Sequence, residues 1–281
     1  MKKKYGKVCI SAIFLVLLSF FGLPLCACGD PAGPDLEVYF FSIGKADAFL
    51  LTSGGRTVLI DTGCKSDAKG ILAELENRDI TRIDVLIITH FDKDHAGGAA
   101  KIIEKTDIGA VLQTAHTEDN EACARYAEAL ETVGITPMII AGEDYTFSLG
   151  STAFTVNPPA RETYEKNPDN NSSLIVTAEC GGRRLLFAGD AENARLEEFI
   201  AADPGDYDFV KIPYHGHWQK RLDDLILAVR PKYAVITSSD DEPEDPDTLE
   251  LLTACDVEYW LTREGAVTLT VTDGVIEITQ E

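Results

Sequence analysis

Residues 89–98 read Thr89-His90-Phe91-Asp92-Lys93-Asp94-His95-Ala96-Gly97-Gly98. Two imidazoles, His90 and His95, and two carboxylates, Asp92 and Asp94, fall within six residues. The segment follows residues 84–89, a short continuous apolar run of the kind that forms a buried strand. The four polar groups are therefore expected on a loop at a sheet end. Neutral imidazole nitrogen and ionised carboxylate oxygen are ligands for zinc, iron or manganese. So short a loop cannot easily bring all four to one ion, whereas two ions about 3.5–4 Å apart can divide them. A solvated turn would be rich in Asp but has no need of two histidines, and the chain holds only five.

Outward from this loop, strands and helices alternate in two similar halves. Before it, residues 36–43 and 47–52 read as strands, and Gly54-Gly55 turns the chain into a third at 56–60. Residues 66–77 have helical spacing. After it come a helix at 97–105, a strand at 109–114, a helix at 117–133 and short strands at 136–140, 145–149 and 152–156. Residues 157–171 are polar and Pro-broken, hence a loop. Strands 173–179 and 183–188 form a hairpin around Gly181-Gly182. A helix at 191–201, a strand at 209–212, a helix at 221–229 and a strand at 233–237 follow. The acidic loop 240–247 then leads into a helix begun by Pro246, and the hairpin 266–271/275–279 ends the chain. Both halves supply sheet and helix, which a layered αββα sandwich explains better than one parallel sheet.

Further segments make the pattern specific: Ser42-Ile43-Gly44-Lys45-Ala46-Asp47-Ala48, Leu59-Ile60-Asp61-Thr62-Gly63, Asn170-Asn171-Ser172-Ser173-Leu174, Leu186-Phe187-Ala188-Gly189-Asp190 and Lys211-Ile212-Pro213-Tyr214-His215-Gly216. With His-x-Asp-x-Asp-His-x-Gly-Gly at 90–98, this set resembles the metallo-β-lactamase superfamily. Asp92 stands where the commoner signature has a second His, as in the C-terminal hydrolase domain of the competence protein ComEC and its stand-alone relatives. The resemblance runs from about residue 36 to residue 278 and implies a four-layer αββα metallo-β-lactamase sandwich.

Residue by residue, the resemblance implies that His90 and Asp92 hold a first metal, and Asp94 and His95 a second. Asp190 bridges the two and His215 completes the second site. Two divalent cations, Zn²⁺ or Mn²⁺, are the implied cofactors. Asp94 and Asp190 are the implied catalytic carboxylates, and Asp61 orients a ligand from behind. Asp47 reads as structural, and His116 and His217 as exposed loop histidines. Read alone, Asp190 would be a helix cap and His215 a loop histidine; order and spacing raise both to ligands. Several positions depart from the pattern. Lys45 and Ala46 replace Gln and Gly, Tyr214 replaces the first His of a pair, and His217 stands where Ser is usual. Asp245-Pro246 stands where relatives often have His-Pro.

The implied chemistry is hydrolysis of a phosphodiester or related ester by a metal-bridged hydroxide. No nucleophile elbow, Walker loop or dinucleotide fingerprint is present. A non-catalytic metal-binding surface protein on a degenerate hydrolase fold is the rival reading.

The N-terminus reads as an export signal over residues 1–27. Lys2, Lys3, Lys4 and Lys7 precede an apolar run from Val8 to about Leu25. Leu25-Cys26-Ala27-Cys28 resembles a bacterial lipobox with Cys28 lipidated, residues 28–35 forming a tether to the membrane. A plain signal anchor is the alternative. The hydrolase domain is then 36–281. Removing residues 1–27 takes away four lysines and no acid, so a net charge of −22 becomes −26. Such a surface repels polyanions at long range, and no Lys/Arg cluster offers a nucleic-acid track. The expected partner is a small phosphodiester or ester, with nucleic acid as the lesser alternative; no protein partner is inferable. Cys64, Cys123, Cys180 and Cys255 remain as buried thiols or as disulfides in one of three pairings.

Overall fold

The structure is a computed structural model that describes residues 33–281. The expected signal at 1–27 and Cys28 lie outside the described residues. Among those described, no helix is long and apolar enough to cross a membrane.

The first half runs β1 (Leu36–Phe40), β2 (Phe49–Ser53), β3 (Arg56–Ile60), α1 (Ala68–Asn77), β4 (Arg82–Ile88), α2 (Lys93–Ala96), α3 (Ala99–Lys105), β5 (Asp107–Thr114), α4 (Glu121–Val133) and β6 (Met138–Ile140). The second runs β7 (Tyr145–Leu149), β8 (Thr152–Asn157), α5 (Pro168–Asn171), β9 (Ile175–Cys180), β10 (Arg183–Phe187), α6 (Asn193–Ala201), β11 (Phe209–Lys211), α7 (Leu222–Val229), β12 (Tyr233–Ile236), α8 (Pro246–Ala254) and β13 (Glu258–Leu261). The final hairpin, β14 (Val267–Thr272) and β15 (Val275–Gln280), returns to the first sheet, whose order is β15-β14-β1-β2-β3-β4-β5-β6. The second sheet is ordered β13-β12-β11-β10-β9-β8-β7.

Alternation along each strand builds the layers, because successive side chains point to opposite faces. Leu36, Val38 and Phe40 of β1, Val85 and Ile87 of β4, and Leu185 and Phe187 of β10 share the core between the sheets. Phe40, Phe49, Phe187 and Phe209 pack ring against ring there, with centroids 5.2–6.2 Å apart. Tyr39, Leu86 and Ile88 face the other way, under Ile71 and Leu75 of α1, Ile102 and Ile103 of α3, and Leu130 of α4. On the far side, Leu186 and Val210 meet Leu196 and Phe199 of α6, Leu225 and Ile226 of α7, and Leu252 of α8. Helix, sheet, sheet and helix form the expected four-layer sandwich. Burying both faces of each sheet is why its central strands read as continuous apolar runs.

The boundaries needed correction where polar groups bond across the fold rather than along the ladder. The first strand ends at Phe40, not at 43, and the second begins at Phe49, not at 47. Residues 41–48 are a turn, and the Asp47 amide donates to Asp94 O at 3.0 Å. Residues 90–95 are not simply a loop: α2 starts inside them, with the His95 and Ala96 amides bonding Asp92 O. The helix expected from 117 starts at Glu121, where the Asn120 side chain accepts the Cys123 amide at 2.8 Å. The loop 157–171 closes with α5, and β13 was not anticipated. Among the described residues, Cys64, Cys123, Cys180 and Cys255 form no disulfide with one another.

Candidate metal centre

The site forms where strand ends of the two sheets meet. β4 delivers residues 89–95, β10 delivers Asp190 and β11 delivers His215 through the tight turn Pro213–Gly216. Gly97 and Gly98 let the signature loop dock. A Cβ on Gly98 would lie 2.3 Å from Thr62 O, and one on Gly97 would lie 2.2 Å from Lys93 O. At the far wall, Tyr214 and His215 both hold left-handed backbone, with φ of 52°. Each such non-glycine residue costs on the order of 1–3 kcal/mol, a strain that accumulates at functional sites.

Four of the expected donors, His90, His95, Asp190 and His215, come together, with Asp94 beside His215 and Asp92 at the edge beside His90. His95 Nε2 lies 3.3 Å from His215 Nε2 and 3.2 Å from Asp190 Oδ1. His215 Nε2 lies 3.2 Å from Asp190 Oδ2 and 3.6 Å from Asp94 Oδ2. On the other side of Asp190, the His90 ring is 4.0 Å from that of His95, and His90 Nε2 is 3.6 Å from Asp92 Oδ2. One nitrogen or oxygen each of His90, His95 and Asp190 fall within 4.8 Å of one another.

The residues behind fix which nitrogen of each ring faces inward. His95 Nδ1 bonds Asp61 Oδ2 at 2.9 Å, and His215 Nδ1 bonds Thr237 O at 3.0 Å. These bonds to Nδ1 turn both Nε2 atoms into the cluster, where a cation can take the place of a proton. Asp61 also accepts the Thr89 amide at 2.8 Å and the Thr89 hydroxyl at 2.6 Å. That hydroxyl lies 3.1 Å from His90 Nδ1 and Ser173 Oγ lies 3.4 Å away, so the third ring is turned the same way. Asp61 thus sits where an orienting carboxylate is expected.

Asp47 is wholly buried and ion-paired with the equally buried Lys211; the Thr237 hydroxyl donates to it at 2.6 Å. It approaches the Nδ1 side of His95 and His215, at 3.9 and 3.5 Å. Although Asp47, His95 and His215 also form a compact donor group, an ion there would have to displace the Lys211 ammonium. Asp47 is a brace, as the sequence suggested. Thr237 and the Lys211 pairing were missed. Lys211 could have been found, because a lysine in an apolar strand needs a buried carboxylate, but nothing marks Thr237.

Burial opposes ionisation throughout, yet opposite charges win. The imidazoles of His95 and His215 hold the Asp94 carboxyl down at about 2 despite burial. They hold Asp190 well below the carboxylate range, and Asp190 and Asp47 in turn push His95 well above the usual histidine value. Asp92 is lowered by its bond to His90. Burial and the adjacent Asp92 carboxylate raise Glu118 to about 7. Asp92, Glu118 and Asp169 form an outer, half-buried acidic group that sequence reading did not single out. His116 bonds Asp169 at 2.8 Å and His217 lies 3.9 Å from Asp245; both are half-exposed and outside the donor cluster.

The donors fit divalent ions. A tetrahedral ion with bonds of about 2.0–2.1 Å has ligands about 3.3–3.4 Å apart, and the spacings among Asp94, His95, Asp190 and His215 bracket that value. His90 Nε2 and Asp190 Oδ1 are buried with no hydrogen-bond partner among the described residues, which is costly unless a ligand satisfies them. A cleft of ≈ 590 Å³ opens onto the cluster, lined by Lys45, Asp92, Asp94, Glu118, Asp190 and Tyr214 among others.

Comparison with known proteins agrees with this architecture. The family described as Metallo-beta-lactamase superfamily matches residues 43–238. Recombination protein 2 of Haemophilus influenzae is 30% identical over 210 residues, 73% of this chain and 24% of that protein. ComE operon protein 3 of Bacillus subtilis is 24% identical over 253 residues, 83% of this chain and 31% of that protein. The chain thus spans about a quarter to a third of the length of these curated relatives. Among solved structures, the metallo-beta-lactamase fold protein YhfI from Bacillus subtilis superposes with a TM-score of 0.55 at 12% identity, covering 86% of this chain and 99% of that one.

Proposed function

Because this chain belongs to the metallo-beta-lactamase superfamily, we propose that it is a metal-dependent hydrolase of a small phosphodiester or related ester. The observation that carries the reading is the gathering of the donor side chains into one cluster in which two buried atoms, His90 Nε2 and Asp190 Oδ1, have no hydrogen-bond partner among the described residues. His90, Asp92 and Asp190 would hold one divalent ion, and Asp94, His95, Asp190 and His215 the other, as Zn²⁺ or Mn²⁺. The chemistry such a pair supplies is a water nucleophile at neutral pH and neutralisation of charge on the scissile group.

The chain's own residues set the stage. Asp61 and Thr237 hold the outward nitrogens of His95 and His215, so the inward nitrogens face the cluster, where a bound cation would take the place of a proton. Asp94 and Asp190 remain ionised at neutral pH, because the histidines beside them outweigh burial. Either carboxylate can therefore accept a proton from water without first having to lose one. Apolar walls behind the loops, including Phe91 and Ile212, exclude bulk solvent from one side of the cluster.

Acidic side chains govern the choice of substrate. Asp92, Asp94, Glu118, Glu121 and Asp190 all line the cleft, and the chain carries −22 overall. A small ester enters this field more readily than a polynucleotide. The name Recombination protein 2 points to nucleic acid, but this chain covers 24% of that protein, so nucleic acid stands second. The same reading tethers the protein to a membrane through lipid on Cys28, tested by loss of palmitate labelling in Cys28→Ala.

The decisive experiment is metal analysis of the purified protein, followed by chromogenic phosphodiesters, monoesters and lactones with added Zn²⁺ or Mn²⁺. Failure to bind either metal would sink the reading. Metal bound without turnover of any ester would instead favour a non-catalytic metal-binding surface protein, the reading suggested by Tyr214 in place of a histidine.

A further inference from the structure

We propose that Lys45 is the specificity-determining residue of the cleft. Its ammonium grips one anionic oxygen of the substrate beside the donor cluster and so selects small monoanionic phosphodiesters over neutral esters. This rests on the hydrolase reading above and names the substrate class for the same site.

The turn that carries Lys45 is unusually well fixed. Gly44 holds φ at +83°, and the Ala46 amide closes the turn onto Gly44 O at 3.0 Å. Asp47 N donates to Asp94 O at 3.0 Å, Gly63 N donates to Asp47 O at 2.8 Å, and the Asp47 carboxylate is locked to Lys211. Ala46 is wholly buried. With both following residues pinned, the Lys45 side chain has a set origin. It runs along the cleft wall, 17% exposed, and places Nζ 2.9 Å from Asp94 Oδ2. That oxygen is itself 3.6 Å from His215 Nε2, so the ammonium stands at the edge of the reaction zone.

The donor count leaves room for a ligand. An ammonium carries three N–H groups, and among the described residues Lys45 Nζ makes one hydrogen bond to protein, to Asp94. Two donors remain for whatever occupies the cleft. Charge-assisted bonds of this kind are about twice as strong as neutral ones. The other cation on the wall, Lys93, is exposed and screened by solvent. Opposed to them are the carboxylates of Asp92, Asp94, Glu118, Glu121 and Asp190. One negative charge next to Lys45 gains a partner, several charges meet the carboxylates, and a neutral ester gains little. The glutamine that stands at this position in ComEC-like relatives would carry no charge.

The test uses the full chain loaded with Mn²⁺, as wild type, Lys45→Ala, Lys45→Arg and Lys93→Ala. Three quantities are measured: binding of dimethyl phosphate by calorimetry, turnover of bis(4-nitrophenyl) phosphate and 4-nitrophenyl acetate, and metal content. Lys45→Ala should weaken dimethyl phosphate binding about tenfold or more and raise KM for the diester more than it lowers kcat. The diester-to-acetate ratio of kcat/KM should fall correspondingly. Lys45→Arg should restore binding to within about threefold, because it keeps the charge. Lys93→Ala should act less than about threefold, and metal content should not change in Lys45→Ala.

Dimethyl phosphate bound equally by wild type and Lys45→Ala, or not bound by wild type at all, overturns the proposal. So does an equal loss in Lys93→Ala, which would reveal a general field, or loss of metal from Lys45→Ala, which would make Lys45 a prop for Asp94. The two readings fail separately. Lys45-dependent binding without turnover of any ester sinks only the hydrolase, whereas diester turnover with unchanged KM in Lys45→Ala sinks only this inference.

Discussion

The donor cluster has a well-braced side and a loose one. Around His95 and His215 both outward ring nitrogens have a buried support. Asp61 and the Thr237 carbonyl fix the rings, and Asp47 with Lys211 closes the space behind them. Around His90 the supports are hydroxyls only, Thr89 at 3.1 Å and Ser173 at 3.4 Å. Asp92 has a side chain 34% exposed and shares its surroundings with Glu118. A carboxylate behind a ring raises ligand basicity and removes the entropy cost of orienting it. The difference teaches that, on the proposed two-ion reading, the ions should not bind alike: the His95–His215 side should fill first, and the His90 side more weakly.

The largest effect should come from removing a donor on the braced side. Asp94→Ala or His215→Ala should lose the tightly held ion and all phosphodiesterase and esterase turnover, read by metal analysis and chromogenic assay. Wild-type metal content and turnover in Asp94→Ala would erase the distinction altogether. Next comes the brace itself. Asp47→Ala leaves Lys211 buried without its carboxylate and should cost about 3–5 kcal/mol of stability, measured by urea unfolding. Adding Lys211→Met should recover much of that; no recovery would mean that the pair is not the source of the loss.

A smaller effect is expected at Asp61. Asp61→Ala should weaken the tight ion about 10- to 100-fold in competition with a chelating dye. Asp92→Ala should leave that ion in place and abolish the second equivalent in a stoichiometric titration. Equal loss of both ions in Asp92→Ala would show that the loose side is not separate. The smallest effect should come from His116→Ala. Its imidazole meets Asp169 outside the cluster, so metal stoichiometry should be unchanged and stability should move within about ±0.5 kcal/mol.

Much of this arrangement was legible where the chemistry is local. His90, Asp92, Asp94 and His95 lie within six residues, so their proximity follows from chain connectivity. Asp61 and Asp47 were legible because each sits in a short motif at the end of a strand. Asp190 and His215 were legible only through order and spacing, since either residue alone reads as a cap or a loop side chain. Pro246 begins α8, as its place after the acidic loop suggested, with Asp245 at the N-cap. Glu118 escaped notice because only the folding of the segment before α4 against the signature loop brings it beside Asp92. β13 escaped because Glu258–Leu261 is an edge strand paired only to β12, with too little burial to leave an apolar run.

By itself the sequence determined the layers and the donor types. Alternating and continuous apolar runs dictate which strands are buried, and paired histidines and aspartates after such a strand supply donor types suited to a divalent cation. Tertiary structure alone decided which nitrogen of each ring faces the cluster, which carboxylate is braced by Lys211, and that Lys45 reaches Asp94 across 49 residues of chain. The physical reason is that ring orientation, desolvation and ion pairing depend on distances of a few ångströms between distant segments. Those distances are set by how the two sheets close on one another, not by spacing along the chain.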